Sequence, residues 1–569
     1  MDRRIALTHH TVNVAARLMA MAEERPEAVA VAEPLDYGSD GKRRYRQICF
    51  RHLDQDSDRI ARGLREMGVE PGTRLALLVR PGIDFMALVF GLLKSGAVSI
   101  LIDPGMGRRN LIRCLTEAEP EGFVAIPRVH AIRTLLRCRF RKARFNVTVG
   151  RRLFWGGVTL EQLRGGRWNG PELARTAADD PAAIIFTTGS TGPPKGVLYR
   201  HGNFDAQVEQ IRDFYGIRPG EIDLPGFPLF GLFNCAMGAT AVIPDMDPSR
   251  PARVDPAKFI EAIEDWKVTQ TFGSPAIFDR VGRYCREHGI RLPTVRRVLS
   301  AGAPVPVDVL SRMKDAIHAE GDVHTPYGAT EALPVASIAA SEVLGKTAEK
   351  TRRGAGVCVG RKFPGIRWKV IRIVDGPIAS LGEVEELPSG EIGELIVHGP
   401  VVTRQYVTRV EANAVGKIRD GSSVWHRMGD SGYFDNRDRF WFCGRVAHRV
   451  LTAEGPMYPV CCEAIFNQHP YIFRSALVGV GPPPRQRPVI VLEPEKDWMP
   501  HNRKDRKALL AHARQLGQAN PLTEKIRHFL LHRAFPVDVR HNAKIFREKL
   551  AVWAARRIPA ARGTEGGTP

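Results

Sequence analysis

Long apolar runs, paired cysteines and a secretory signal are all missing from this sequence. No stretch reaches the roughly 20 uninterrupted apolar residues that a membrane-spanning helix needs, and the run Phe85 to Ile102 is interrupted by Lys94. Met1 to Ala30 carries basic residues near its start but no apolar core segment. Its pattern is that of an amphipathic helix, not of a signal peptide. The nine cysteines, from Cys49 to Cys462, are scattered and odd in number, and no CxxC pair occurs. That excludes a disulfide framework and a zinc site, and points to a reducing cytoplasm. Neither zinc-ligand spacing nor the aromatic-glycine signature of an RNA-binding sheet is present, so the common nucleic-acid modules are excluded. A cytoplasmic protein, soluble or peripheral to a membrane, is expected.

What is present is a chain of 569 residues, 43% hydrophobic and 25% charged, which is ordinary globular composition and room for two large or several smaller domains. The net charge of +21 is unusual. It bears on association and solubility and not on fold. From Arg445 onward there are 21 basic and 10 acidic residues, so the last fifth of the chain holds half the excess. A second focus lies between Arg128 and Arg152, where Arg133, Arg137, Arg139, Arg141, Lys142 and Arg144 surround Ile132, Leu135, Leu136 and Phe140 with no acidic residue between. The spacing predicts a basic amphipathic helix. It is read either as a surface helix whose arginines lie over the fold or as a docking surface for a membrane or a protein.

Before Gly150 helical and β-rich segments alternate: helix Asp54 to Met67, strand Arg74 to Val79, helix Asp84 to Ser95, strand Val98 to Ile102. Such alternation implies parallel βαβ units. Further strands are expected at Ala182 to Phe186, Ala239 to Ile243, Val268 to Phe272, Val295 to Ser300 and Val323 to Pro326. Gly360 to Gly444 reads as a compact β subdomain. After Arg445 a short α+β unit follows, with a strand at Ala476 to Val480 and a helix at Lys504 to Gly517. The expected organisation is therefore α/β: a large N-terminal region over 1–444, a small mobile C-terminal domain over 445–557, and a disordered Gly/Pro-rich tail over 558–569.

The strongest chemical signal is Ile184-Ile-Phe-Thr-Thr-Gly-Ser-Thr-Gly-Pro-Pro-Lys-Gly196. A buried strand runs into a loop of hydroxyls and glycines closed by a lysine. Small residues let backbone N–H groups approach a phosphate, Thr187, Ser190 and Thr191 donate, and Lys195 supplies a cation. The Gly-Lys-Ser/Thr of a Walker loop is absent.

Thr187 to Gly196 resembles the signature loop of the adenylate-forming superfamily, which includes acyl-CoA ligases, peptide adenylation domains and luciferases. Four more strings resemble that superfamily in order: Ser300-Ala-Gly-Ala-Pro304, Tyr327-Gly-Ala-Thr-Glu331, Gly429-Asp-Ser-Gly-Tyr433 with Cys443-Gly-Arg445, and Asn542-Ala-Lys-Ile-Phe-Arg547. The resemblance implies ATP and Mg²⁺. Thr187, Thr188, Gly189, Ser190, Thr191, Gly192 and Lys195 would hold phosphate. Gly302, Ala303, Tyr327, Gly328 and Ala329 would line the adenine and acyl pocket, and Thr330 would contact the α-phosphate. Glu331 would hold the metal, Asp430 would grip the ribose with help from Arg445, and Lys544 would enter the site during adenylation. Attack of a carboxylate on the α-phosphate brings anion against anion, so catalysis of this kind rests on positioning and charge neutralisation.

Departures from the thioester-forming ligases bear on the second half-reaction. The phrase Phe227-Pro-Leu-Phe-Gly-Leu-Phe233 has Gly231 where a gate histidine is expected, Ala447 stands at the hinge, and Ala543 replaces the customary glycine. Strings such as Val242-Ile-Pro-Asp-Met-Asp-Pro248, Thr325 to Val335, His426-Arg-Met-Gly-Asp430 and Phe535 to Leu550 resemble the olefin β-lactone synthetase branch. That branch implies a 2-alkyl-3-hydroxy long-chain fatty acid whose own 3-hydroxyl displaces AMP. The alternatives are a long-chain acyl-CoA ligase and a non-catalytic nucleotide-binding scaffold. His426, His448 and His541 are candidates for the base that takes the hydroxyl proton, or are structural. Asp245 and Asp247 fit turn chemistry. Phe227 to Gly238 and Phe272 to Phe278 are read as alkyl pocket or ordinary core.

Overall fold

A computed structural model describes residues 11–165, 168–187, 192–537 and 545–559. A seven-stranded sheet runs, edge to edge, Val158–Thr159, Phe145–Thr148, Gly122–Ala125, Arg74–Leu78, Val98–Leu101, Pro181–Phe186 and Gly196–Arg200. All neighbours are parallel except the last pair. The alternating helices and strands of the sequence therefore fold as βαβ units. The helix Ile83–Ser95 is buried along nearly all its length and ends on Gly96 in the left-handed conformation, φ +76°. It packs on Phe50–Glu66 through residues such as Leu53, Ile60 and Leu64. Lys94, which breaks the apolar run, lies between these helices with Nζ 2.5 Å from Asp54 Oδ1 and 2.6 Å from Asp58 Oδ1. A charge buried this fully is tolerated because it is paired and hydrogen-bonded.

A second, 14-stranded sheet holds all the remaining described strands up to Arg445. Its parallel centre is Thr240–Val242, Ile222–Pro225, Gln270–Gly273, Arg297–Ser300 and Asp322–Ala329. The β-rich stretch after Gly360 is not a free-standing subdomain. Val357–Lys362 pairs with Ala332–Ala339 on one side and with Phe440–Arg445 on the other, which carries Ser423–Phe434, Gly393–His398 and Arg367–Ile371 into the same sheet. Turn-rich sequence with short alternating strands does not reveal this, because the joining register pairs residues far apart in the chain.

From Val450 onward the strands form sheets of their own: a hairpin, and the three-stranded Ile472–Val480, Arg487–Pro494 and His528–Leu531. Pro459–Phe466, Arg503–Gln518 and Arg547–Ala555 supply helices to two small cores. Ile558 is buried in one of them and the Pro559 carbonyl accepts from Arg487 Nη1. The expected tail thus begins no earlier than residue 560, outside the described residues.

The basic helix is shorter than expected. It spans Pro127–Leu135 and gives way to a 3₁₀ turn at Arg137–Arg139. Phe140 then turns into the core edge-on to Phe123, ring centroids 5.1 Å apart. No helix among the described residues is long and apolar enough to cross a membrane, and all nine cysteines are unpaired.

Candidate active site

The two sheets are joined by one extended segment, and the chemistry-bearing residues collect around it. Val402 bridges Ala332, Tyr406 bridges Val197, and Val407 N–H donates to the Gly196 carbonyl at 2.8 Å. Residues 402–407 therefore run from the turn at Glu331, in the large sheet, to the strand that follows the hydroxyl-rich loop, in the small one. Thr403 donates both its backbone N–H and its Oγ1 to the Glu331 carbonyl, each at 2.9 Å. From the other side Tyr199 donates its hydroxyl to the Thr330 carbonyl at 2.7 Å. Thr330 and Glu331 are thus fixed through their backbone from both sheets.

Tyr406, Thr403 and Lys417 carry no signal in the sequence reading, yet they order this cluster. The Tyr406 hydroxyl donates to Glu331 Oε1 at 2.6 Å, and Lys195 Nζ lies 4.7 Å from the centre of the same ring. Lys417 Nζ lies 5.5 Å from it and donates to the Thr403 carbonyl. Burial lowers the Lys417 ammonium to about 7, with Lys195 adding to the shift and Glu331 opposing it. Burial and the neighbouring carboxylate push the Tyr406 hydroxyl upward, so it stays a donor. Glu331 Oε2 has no hydrogen-bond partner among the described residues.

At the start of the loop Thr187 and Lys195 close on each other. Thr187 N–H donates to the Lys195 carbonyl at 3.0 Å and Lys195 N–H to Thr187 Oγ1 at 3.1 Å. Gly192 is described, whereas Thr188, Gly189, Ser190 and Thr191 lie outside the described residues, as do His541 and Lys544.

A second cluster forms where Ser423–Phe434 pairs with Phe440–Arg445, with Asp430 directly opposite Arg445. Asp430 is buried, and its two oxygens are held separately: Tyr327 donates its hydroxyl to Oδ2 at 2.5 Å, Arg445 Nη1 donates to Oδ1 at 2.8 Å. Arg445 Nη1 also reaches the Met428 carbonyl at 2.9 Å. Gly429 has φ +64°, and a Cβ there would stand 3.1 Å from Arg445 Nη2, so glycine is required both by the backbone and by the guanidinium. Burial, with the Asp430 charge beside it, raises the Tyr327 hydroxyl well above its ordinary value. Gly328 and Ala329 continue the strand from Tyr327 into the Glu331 turn, and Gly302 and Ala303 follow the adjacent parallel strand Arg297–Ser300.

Of the described candidates for the base, His426 stands beside these clusters, where the charges of Lys417, Lys195 and Arg445 act on it. His426 is buried with Nδ1 2.9 Å from the Gly416 carbonyl, and burial holds it well below the usual histidine range. His448 Nε2 lies 3.1 Å from Glu548 Oε1. Asp245 pairs with Arg43 and Lys258, and Asp247 accepts from Ser249 N–H and Oγ in an Asx turn. All four have structural partners. The two stretches read as alkyl pocket or core do meet: Phe230 stacks on Phe272 with centroids 3.4 Å apart, and Gly226 N–H donates to the Phe272 carbonyl at 2.7 Å. Gly231 faces Met86, and a Cβ on it would fall inside the contact radius of the Met86 methyl. No side chain fits at that position without moving Met86.

Residues 18–407 match the AMP-binding enzyme family. The chain is 47% identical over 554 residues to the olefin beta-lactone synthetase of Stenotrophomonas maltophilia, covering 96% of this chain and 98% of that one. It is also 47% identical over 552 residues to the protein of the same name from Xanthomonas campestris pv. campestris, again covering 96% and 98%. Among solved structures the amide bond synthetase McbA from Marinactinospora thermotolerans superposes with TM-score 0.76 at 21% identity, over 95% of this chain and 99% of that one. That likeness is one of fold.

Proposed function

The chain belongs to the AMP-binding enzyme family, and from that premise we propose that it condenses ATP with a 2-alkyl-3-hydroxy long-chain fatty acid and closes the product to a β-lactone. In the first step a carboxylate oxygen of the acid bonds to the α-phosphorus and diphosphate leaves. In the second the 3-hydroxyl oxygen bonds to the acyl carbon, AMP leaves and the hydroxyl proton is lost. The near full-length 47% identity to two olefin beta-lactone synthetases carries this reading. Met86 packed on Gly231 agrees with it, since the position assigned to a thiol-side gate holds no side chain.

Each residue has a task in that sequence. Thr187, Gly192 and Lys195, with Thr188, Gly189, Ser190 and Thr191, hold the phosphates, and Thr330 faces the α-phosphate. Tyr327, Gly302, Ala303, Gly328 and Ala329 bound the adenine. Asp430 accepts from the ribose hydroxyls through lone pairs that Tyr327 and Arg445 leave open, since each oxygen is engaged once. Lys544 is assigned the cation that enters during adenylation, carried by a small domain moving about Arg445 to Ala447.

The open Oε2 of Glu331, on a carboxylate steadied by Tyr406, fits Mg²⁺, which commonly takes one or two protein carboxylates beside substrate phosphates. When bound, the ion neutralises phosphate charge. No group of three or more acidic, His or Cys ligands occurs among the described residues. The nine unpaired cysteines support the cytoplasm as the setting.

Purified protein with Mg·ATP and a synthetic 2-alkyl-3-hydroxy acid should give AMP, diphosphate and a β-lactone by mass spectrometry without coenzyme A. A strict coenzyme A requirement, or a thioester product, would replace this reading with that of an acyl-CoA ligase.

A further inference from the structure

The Val158–Thr159 edge of the seven-stranded sheet carries a surface that the reaction leaves unused. On the helix Pro127–Leu135, Ile132 and Leu135 are 51% and 84% exposed, and in the loop before Val158 the figures for Leu153 and Phe154 are 52% and 76%. Trp155 fixes the loop against the helix. Its indole Nε1 donates to Thr148 Oγ1 at 2.9 Å, its ring stacks on His130 with centroids 5.9 Å apart, and its carbonyl accepts from Arg133 Nη2 at 3.2 Å. Four large apolar side chains are therefore held out into water by a packed scaffold.

The charge carried by this stretch of chain is basic throughout, with Glu119 the acidic residue that reaches it, at Lys142. Arg128, Arg137, Arg139, Arg141 and Arg151 are exposed and make no ion pair among the described residues, and no acidic residue occurs between Arg128 and Arg152. Of the basic groups in this stretch, Lys142 pairs with Glu119 and Arg152 is bonded to the Gly157 carbonyl.

We propose that this flank seats the enzyme on an anionic lipid surface, with Ile132, Leu135, Leu153 and Phe154 entering the headgroup boundary and the arginines meeting lipid phosphates. Apolar side chains flanked by cations are the combination that binds such interfaces. Arginines beside apolar side chains also occur at protein interfaces, so a protein partner is the competing outcome that vesicle binding separates. The choice of lipid also rests on the proposed substrate, since a long-chain acid partitions into bilayers and a docked enzyme would meet it there.

Sedimentation of the full chain with vesicles tests this. Binding is expected to equimolar phosphatidylcholine and phosphatidylglycerol, weakly or not to phosphatidylcholine alone, and to fall as salt shortens the Debye length. Arg137→Glu with Arg139→Glu should lower the affinity at least about ten-fold, given the roughly five-fold contributed by each basic residue near an anionic surface. Leu135→Ser with Phe154→Ser should also weaken binding while leaving activity on detergent-dispersed substrate unchanged. No binding by the wild type, or binding indifferent to salt and to both pairs of substitutions, overturns the proposal. So does capture of a protein partner through this flank without vesicle binding. Vesicle binding reads the surface and product analysis reads the site, so each reading can fail without the other.

Discussion

Tyr406 holds Glu331 by a 2.6 Å hydrogen bond between residues 75 positions apart in sequence. The same ring lies against two lysines, Lys195 and Lys417. A single tyrosine thus positions the only carboxylate of the Tyr327–Glu331 string and packs against the lysine that closes the hydroxyl-rich loop. A hydrogen bond to a charged acceptor in a buried setting contributes about 1.5–3 kcal/mol.

Tyr406→Phe should therefore leave the fold intact but let the Glu331 carboxylate rotate, raising the Mg²⁺ concentration needed for half-maximal ATP–diphosphate exchange about ten-fold. An unchanged Mg²⁺ dependence would mean that Tyr406 has no part in positioning the metal carboxylate.

Lys544→Ala should abolish ATP–diphosphate exchange while circular dichroism and thermal unfolding stay at wild-type values. Neutralising charge in a transition state of this type is worth several orders of magnitude in rate. Exchange retained within about ten-fold would remove Lys544 from the adenylation step.

Gly231→Ala places a methyl against the Met86 methyl, the far end of a flexible side chain, and should destabilise the protein by about 0.5–1.5 kcal/mol in urea unfolding, the cost of one displaced rotamer. Combining it with Met86→Ala should recover part of that loss. Full additivity of the two effects would show that the contact does not limit position 231.

Asp223 is buried beside Asn234, whose Nδ2 donates to Oδ2 at 2.6 Å, and burial raises its carboxyl to about 7. The folded state keeps this proton over a range in which the unfolded chain, titrating near 3.8, has lost it. The associated stability is present below the unfolded value and is lost as pH rises toward about 7. Asp223→Asn has no such proton to lose, so its stability relative to wild type should improve between pH 4 and pH 7 by on the order of a few kcal/mol. Parallel stability curves over that interval would exclude Asp223 as the source.

Glu463, on the first helix after the hinge, is buried, accepts from Leu477 N–H at 2.8 Å, and pairs with Arg547 at 2.7 Å. Arg547→Ala would leave that carboxylate uncompensated, a loss of about 3–5 kcal/mol. Limited proteolysis should then cleave after Arg445 first, while the large sheets stay protected. Wild-type resistance of the C-terminal segment would show that the pair is dispensable.

The sheet-forming segments of the first half could be read because helical stretches alternate with short apolar runs, as in Arg74–Leu78 followed by Ile83–Ser95. The basic helix was over-extended because Phe140 fits a helical apolar stripe as well as it fits the core position beside Phe123 that it occupies. The join between Val357–Lys362 and Ala332–Ala339 left no trace in local pattern, since a strand's partner is not encoded in its own residues. From the sequence, His426 in its motif is open to either role, base or structural. Its burial and its bond to the Gly416 carbonyl make it structural.

The sequence alone determined which residue types stand ready for the chemistry: the hydroxyl and glycine loop before Lys195, the carboxylates Glu331 and Asp430, and Arg445. Each lies in a short string whose composition would suit the local demands of the phosphate, metal or ribose proposed for it. Only the tertiary structure decided how these strings meet. Residues 402–407 tie one sheet to the other, Tyr406 reaches Glu331, Tyr327 and Arg445 divide the oxygens of Asp430, and Met86 fills the space over Gly231. These contacts join residues far apart in the chain. They are fixed by strand pairing and core packing, which no local string contains.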